Sequence, residues 1–162
     1  DGITFAMIKC GGGDDGLYED RKFEQNIQGA LANGIQVGVY FYSGASNARE
    51  AYDEASYCIS LIRDYQITYP VAFDWELDGD YDSVTEACET FCNVISSYGY
   101  QPMVYSNRNR WYNNFDGEKI ASKYKVWMAA YFGKFYYDSV RWTYGDDLPN
   151  FRYHYDMWQL FL

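Results

Sequence analysis

Short apolar strands that alternate with helices restrict this chain more than any other feature. Residues 3–9, 35–43, 69–76 and 101–106 each read as a strand that is apolar on both faces. Between them lie helical patterns. Residues 20–33 carry Phe23, Ile27, Ala30 and Leu31 on one face and stop at Gly34. Residues 47–65 open on Asn47 with Glu50 placed as in a capping box, and Ser83-Val84-Thr85-Glu86 repeats that spacing ahead of a helix to Ser97, with Gly99 at its end. Residues 107–115 read as a loop or short helix, and 125–131 and 156–162 as further strands. Strands of this kind joined by helices are parallel βα units with right-handed crossovers.

Which parallel architecture follows depends on where the polar residues fall. Tyr40 and Tyr42, Asp74 and Glu76, Tyr105, Tyr131, and Trp158 with Gln159 all lie at the C-terminal ends of successive strands. A β/α barrel gathers its active face at that rim, whereas a doubly wound sheet concentrates its site at one switch point. The expected fold is therefore α/β, a β/α barrel, complete or partial, as one domain over residues 1–162. The glycine run at 11–13 matches neither phosphate-binding pattern.

The segment PVAFDWE at 70–76 carries the chemistry. Side chains alternate along a strand, so Asp74 and Glu76 are expected on one side. Two acids there suit general acid/base work on a sugar bond. An acid must hold its proton when substrate arrives, and a neighbouring carboxylate with apolar flanks is the ordinary means to that. The run from Asp74 through Asp78, Asp80 and Asp82 also has the alternating acids of a calcium loop. Thr85 stands where that loop needs Glu, however, and Trp75 and Leu77 interrupt it, so no metal is expected and Asp78, Asp80 and Asp82 read as a solvated loop.

The remaining composition narrows the partners. The chain has 19 Tyr, 10 Phe and 5 Trp, 21% aromatic in all, a surplus that suits a carbohydrate cleft as well as a core. A net charge of −10 leaves no basic stripe for nucleic acid or an anionic membrane surface, and no apolar run is long enough to span a bilayer. No signal peptide is visible. Cys58 could bridge to Cys88 or Cys92 if their helices are neighbours, or the four thiols are free and half-buried. The sole histidine, His154, is expected at the surface or rim, and zinc is not expected.

Several segments together resemble the glycoside hydrolase family 25 lysozymes: FAMIKCGGG at 5–13, NIQGALANGIQVGVYFYS at 26–43, YPVAFDWE at 69–76, GYQPMVYS at 99–106, VWMAAY at 126–131 and MWQ at 157–159. The resemblance covers nearly the whole chain. It implies an irregular TIM-like β/α barrel of eight strands with fewer helices than strands, partial in this chain, that cleaves the β-1,4 bond between N-acetylmuramic acid and N-acetylglucosamine in peptidoglycan, with retention, assisted by the substrate's acetamido group. It implies Glu76 as general acid and Asp74 as its supporting carboxylate, with Tyr40, Tyr105, Trp127, Tyr131 and Trp158 lining the cleft. No cofactor, a monomer, a glycan-strand partner and an extracellular, cell-wall location follow from the same resemblance.

The sequence departs from the family at both ends. The family's opening strand, with an Asp in a D-x-S-x-x-Q-G context, is absent, as is the V-D-x-N segment after the W-Q strand, and Leu160 stands where Tyr is usual. Two missing strands would expose unpaired edges and core, so a chain trimmed from a longer one is the expectation. Two alternatives remain open: a glycan-binding barrel without activity, and a family 18-like N-acetylhexosamine hydrolase. Residues 71–73 lack the Asp and Gly that family 18 places upstream of its D-x-E.

Overall fold

The computed structural model describes residues 2–130, 137–138, 141–142 and 150–159. The chain runs β1 (Phe5–Gly12), β2 (Tyr18–Glu19), α1 (Phe23–Ala32), β3 (Gln36–Tyr42), α2 (Ala48–Ile62), β4 (Val71–Asp74), α3 (Tyr81–Ser97), β5 (Pro102–Asn107), α4 (Arg108–Asn113), α5 (Gly117–Lys123) and β6 (Lys125–Ala129). A small antiparallel pair, β7 (Tyr137–Asp138) and β8 (Arg141–Trp142), precedes β9 (Met157–Gln159).

One sheet has the order β2-β1-β3-β4-β5-β6-β9. Every pairing in it is parallel except that of β2, which folds back on β1. Among the described residues the result is a curled half-barrel with five helices, in keeping with the parallel α/β pattern and with the partial TIM-like barrel that the family resemblance implies. β2, α5 and the β7–β8 pair escaped the sequence reading, because two-residue strands and a seven-residue helix carry too little periodicity to register.

The helices cover one face of the sheet. Val37, Val39 and Phe41 of β3, Val71 and Phe73 of β4, Val104 of β5 and Val126 of β6 join Ile27, Ala55, Ile62, Phe91 and Ile95 from the helices in a single core. Phe73 packs on Phe91 of α3, with ring centroids 5.1 Å apart. Burying such side chains contributes roughly 1.5–3 kcal/mol each.

Of the two expected caps, Asn47 stands and Ser83 does not. Asn47 caps α2 by accepting from Glu50 N, but the Glu50 carboxylate returns to Ser46 N rather than to the cap residue. α3 starts at Tyr81, because Asp80 and not Ser83 is the cap: its carboxylate accepts from Ser83 N and Oγ at 3.1 and 2.9 Å.

The four cysteines are buried free thiols. The sulfur facing Cys58 is that of Cys10, 3.8 Å away, rather than that of Cys88 or Cys92. His154 is at the surface, its Nε2 lying 3.6 Å from Asp156.

β3 passes close to its neighbours at Gly38, where a Cβ would lie 2.7 Å from the Pro70 carbonyl oxygen and 2.5 Å from Met7 Sδ. Gly38→Ala is expected to destabilise the protein by about 1–3 kcal/mol, measured by denaturant unfolding.

Candidate active site

Because strand side chains alternate, the residues absent from the helix-side core point into the hollow of the sheet. On β3 these are Gly38, Tyr40 and Tyr42; on β4, Ala72 and Asp74; on β5, Met103 and Tyr105; on β6, Trp127. The register brings them level. Tyr42 pairs with Asp74, Asp74 with Tyr105, and Tyr105 with Trp127. Trp127 takes Tyr105 and Tyr40 edge-on, at centroid distances of 4.7 and 6.0 Å. The concave face therefore offers a row of ring faces and phenol groups beside one buried acid.

Asp74 is the last residue of β4 and only 4% exposed. The strand stops there, short of the expected residue 76, although Trp75 N still bonds to Tyr105 O at 3.3 Å. Trp75 turns to the helix side and meets Phe115 edge-on. Glu76 follows, half-buried, in the loop leading to α3.

Burial first, and then the charge of Glu76, push the Asp74 carboxyl up to about 8, against a smaller opposing pull from Lys9. Its Oδ1 is buried and has no hydrogen-bond partner among the described residues. The same carboxyls reach the neighbouring phenols. Tyr42 is raised by burial, then by Glu76 and Asp74, and Tyr40 by burial, then by Asp74.

Two residues missed in the sequence belong to this neighbourhood. Lys9 is the one charged side chain inside β1, a signal that was available. Its Nζ lies 5.0 Å from the Tyr42 ring centroid and 5.6 Å from that of Tyr18. The second is Glu54 on α2, 4% exposed. It accepts from Ser43 Oγ and from Gly44 N at 2.9 Å, while Ser43 N donates to the carbonyl of Asp74 at 2.8 Å. Glu54 thus fixes the backbone turn on which the end of β4 rests. Burial raises its carboxyl to about 7, against the hydrogen bonds from Ser43 and Gly44.

Of the rim residues expected from the sequence, Tyr40, Tyr42, Asp74, Tyr105 and Trp127 share the concave face, with Glu76 beside them. Trp158 pairs with Met128, packs against the helix-side core and donates its Nε1 to the Ala130 carbonyl at 3.1 Å. Gln159 pairs with Ala129. Tyr131 lies outside the described residues.

A family model described as glycosyl hydrolases family 25 matches residues 1–159. The chain belongs to that family. This family 25 chain is 33% identical over 101 residues to a D-alanyl-L-alanine endopeptidase of Streptococcus phage B30, and 30% identical over 100 residues to the lysozyme of Streptococcus phage Cp-1. Each match takes in 59% of this chain but only 22% and 29% of those proteins, so the chain spans about a quarter of their length. The autolysin LytC of Streptococcus pneumoniae, solved with a synthetic peptidoglycan ligand, superposes with a TM-score of 0.69 at 25% identity, over 85% of this chain and 34% of that one.

Two outcomes follow for this family 25 domain. Asp74 and Glu54 keep their protons to higher pH when folded than when unfolded, so the folded state binds more protons between about pH 4 and 8 and stability falls as pH rises through that window. The melting temperature at about pH 8.5 is expected to be a few degrees below that at about pH 5.5, and Asp74→Asn to flatten the difference. Glu54→Leu leaves the Ser43 hydroxyl and Gly44 N–H without their acceptor. It is expected to cost about 1–3 kcal/mol in urea unfolding.

Proposed function

We propose that this chain is the glycan-cleaving part of a peptidoglycan hydrolase of the lysozyme type, acting on the β-1,4 bond between N-acetylmuramic acid and N-acetylglucosamine at the cell wall. The observation that carries this reading is Asp74 at the end of β4, level with Tyr42 and Tyr105 in a concave row with Tyr40 and Trp127, with Glu76 two residues on and its charge felt by Asp74 and Tyr42. Membership of family 25, a lysozyme among the relatives and a peptidoglycan ligand bound to LytC support the substrate class. The name of the phage B30 relative describes a protein of which the match covers 22%.

Glu76 is assigned as general acid and Asp74 as its partner. Burial and the charge of Glu76 both favour the neutral form of Asp74. In the free protein the proton sits on Asp74, the more buried of the two. A bound sugar that covers Glu76 dries it, while an acetamido N–H turned to Asp74 favours the ionised aspartate. Both changes move the proton to Glu76.

Glu76 then protonates the leaving glycosidic oxygen as the C1–O bond breaks, and the acetamido carbonyl oxygen closes on C1. The Glu76 carboxylate afterwards takes a proton from the water that opens this ring, and the product keeps its anomeric configuration. The aromatic row supplies stacking faces for the sugar rings.

The deciding experiment is release of reducing ends from purified peptidoglycan. Glu76→Gln is expected to lower the rate about 10²–10⁴-fold with the melting temperature preserved. Full activity in that variant would remove Glu76 from the role of acid.

A further inference from the structure

We propose that the hollow between Arg108 and Arg152 is a subsite for a free carboxylate of the peptidoglycan stem peptide. The proposal rests on the peptidoglycan reading above. The hollow has a volume of about 580 Å³ and is lined by Arg108, Tyr112, Asn150 and Arg152. It lies on the same C-terminal rim as the paired acids. Asp74 is level with Tyr105, β5 ends at Asn107, and Arg108 opens the next helix, α4. α4 is tied back to the acids' own loop, because Arg110 Nε donates to the carbonyl of Leu77 at 2.8 Å, one residue after Glu76.

The two guanidinium groups are held ready for an anion. Arg152 lies over the Tyr112 ring, its Cζ 4.8 Å from the centroid, and its backbone N–H donates to Tyr112 Oη at 2.9 Å. Stacking on a ring occupies the face of a guanidinium and leaves its N–H edge open. Arg108 places one N–H on the Asn150 carbonyl at 3.4 Å and keeps its others. Neither arginine is ion-paired with a carboxylate among the described residues.

Tyr112 lines the hollow and is held in place by stacking on Phe151, and its ring edge adds an apolar surface for a small aliphatic residue. Planar N–H forks match a carboxylate in bidentate fashion. In a chain of net charge −10, this local pair favours one discrete carboxylate over a phosphate-rich polymer, which the rest of the surface repels. Stem peptides hang from each N-acetylmuramic acid unit and leave a bound glycan at its rim, where this hollow lies.

The test is calorimetric binding of N-acetylglucosaminyl-N-acetylmuramyl pentapeptide, a product of the cut, against the same fragment with its carboxylates amidated. Both are titrated into the protein and into Arg108→Gln/Arg152→Gln, whose fold is checked by its melting temperature. The free-acid fragment is expected to bind the protein about tenfold more tightly than the amide, and the double variant to lose that preference. Equal binding of the two fragments by the unsubstituted protein overturns the proposal. So does an equal weakening of both fragments in the variant, or tighter, arginine-dependent binding of a poly(glycerol phosphate) chain. Reducing-end release from peptide-free glycan strands separates the two readings. Release without carboxylate preference overturns the subsite alone, and preference without release overturns the catalytic assignment while supporting the subsite.

Discussion

The in-register ladder of β3, β4 and β5 holds the candidate site together. Helices cover only one face of these strands, so alternation sends Val39, Phe41, Val71, Phe73 and Val104 into the core and Tyr40, Tyr42, Asp74 and Tyr105 into the concavity. A slip of one residue in β4 would bury Asp74 among the helices and turn Phe73 into the cleft. The apolar core thereby fixes the position of the acid, because no other register buries both the valines and the phenylalanines.

That arrangement carries an electrostatic cost. Asp74 and Glu54 are carboxyls with almost no solvent contact, and both are pushed toward the neutral form. Glu54 offsets its burial with two hydrogen bonds and so joins α2 to the turn after β3. Asp74 has fewer partners and depends on Glu76, Lys9 and the phenols around it. A group in this state is poised to exchange a proton when its surroundings change, which is the property the proposed mechanism uses.

The sequence reading located the parallel strands to within a few residues, because their apolar runs are dense and two of the helices between them, α2 and α3, begin at side-chain caps. It placed the acids on one strand end but not the strand's stop at Asp74, nor which carboxyl of the pair would be the drier. Ser83 and Asp80 both stand at capping distance from the helix in the sequence, and only the backbone path selects Asp80. Spacing alone points Cys58 toward Cys88 or Cys92 on a neighbouring helix, whereas the sulfur it meets belongs to Cys10 of β1. Glu54 gave no signal at all: in the sequence it is one more acid on an amphipathic helix, and its burial exists only once Ser43 and Gly44 are folded against it.

What the sequence determined by itself is what local physics decides: the order of strands and helices, the parallel α/β class, and the concentration of acids and aromatics at strand ends. These follow from periodicity, capping and turn residues acting over a few positions. Tertiary structure alone decided which of those residues meet. Trp127 joins Tyr40 and Tyr105 in the concavity, whereas Trp158, equally aromatic and equally near a strand end, packs against the core. The difference is one of register across β6 and β9, set by which face the whole sheet buries, and residues close in sequence cannot fix it alone.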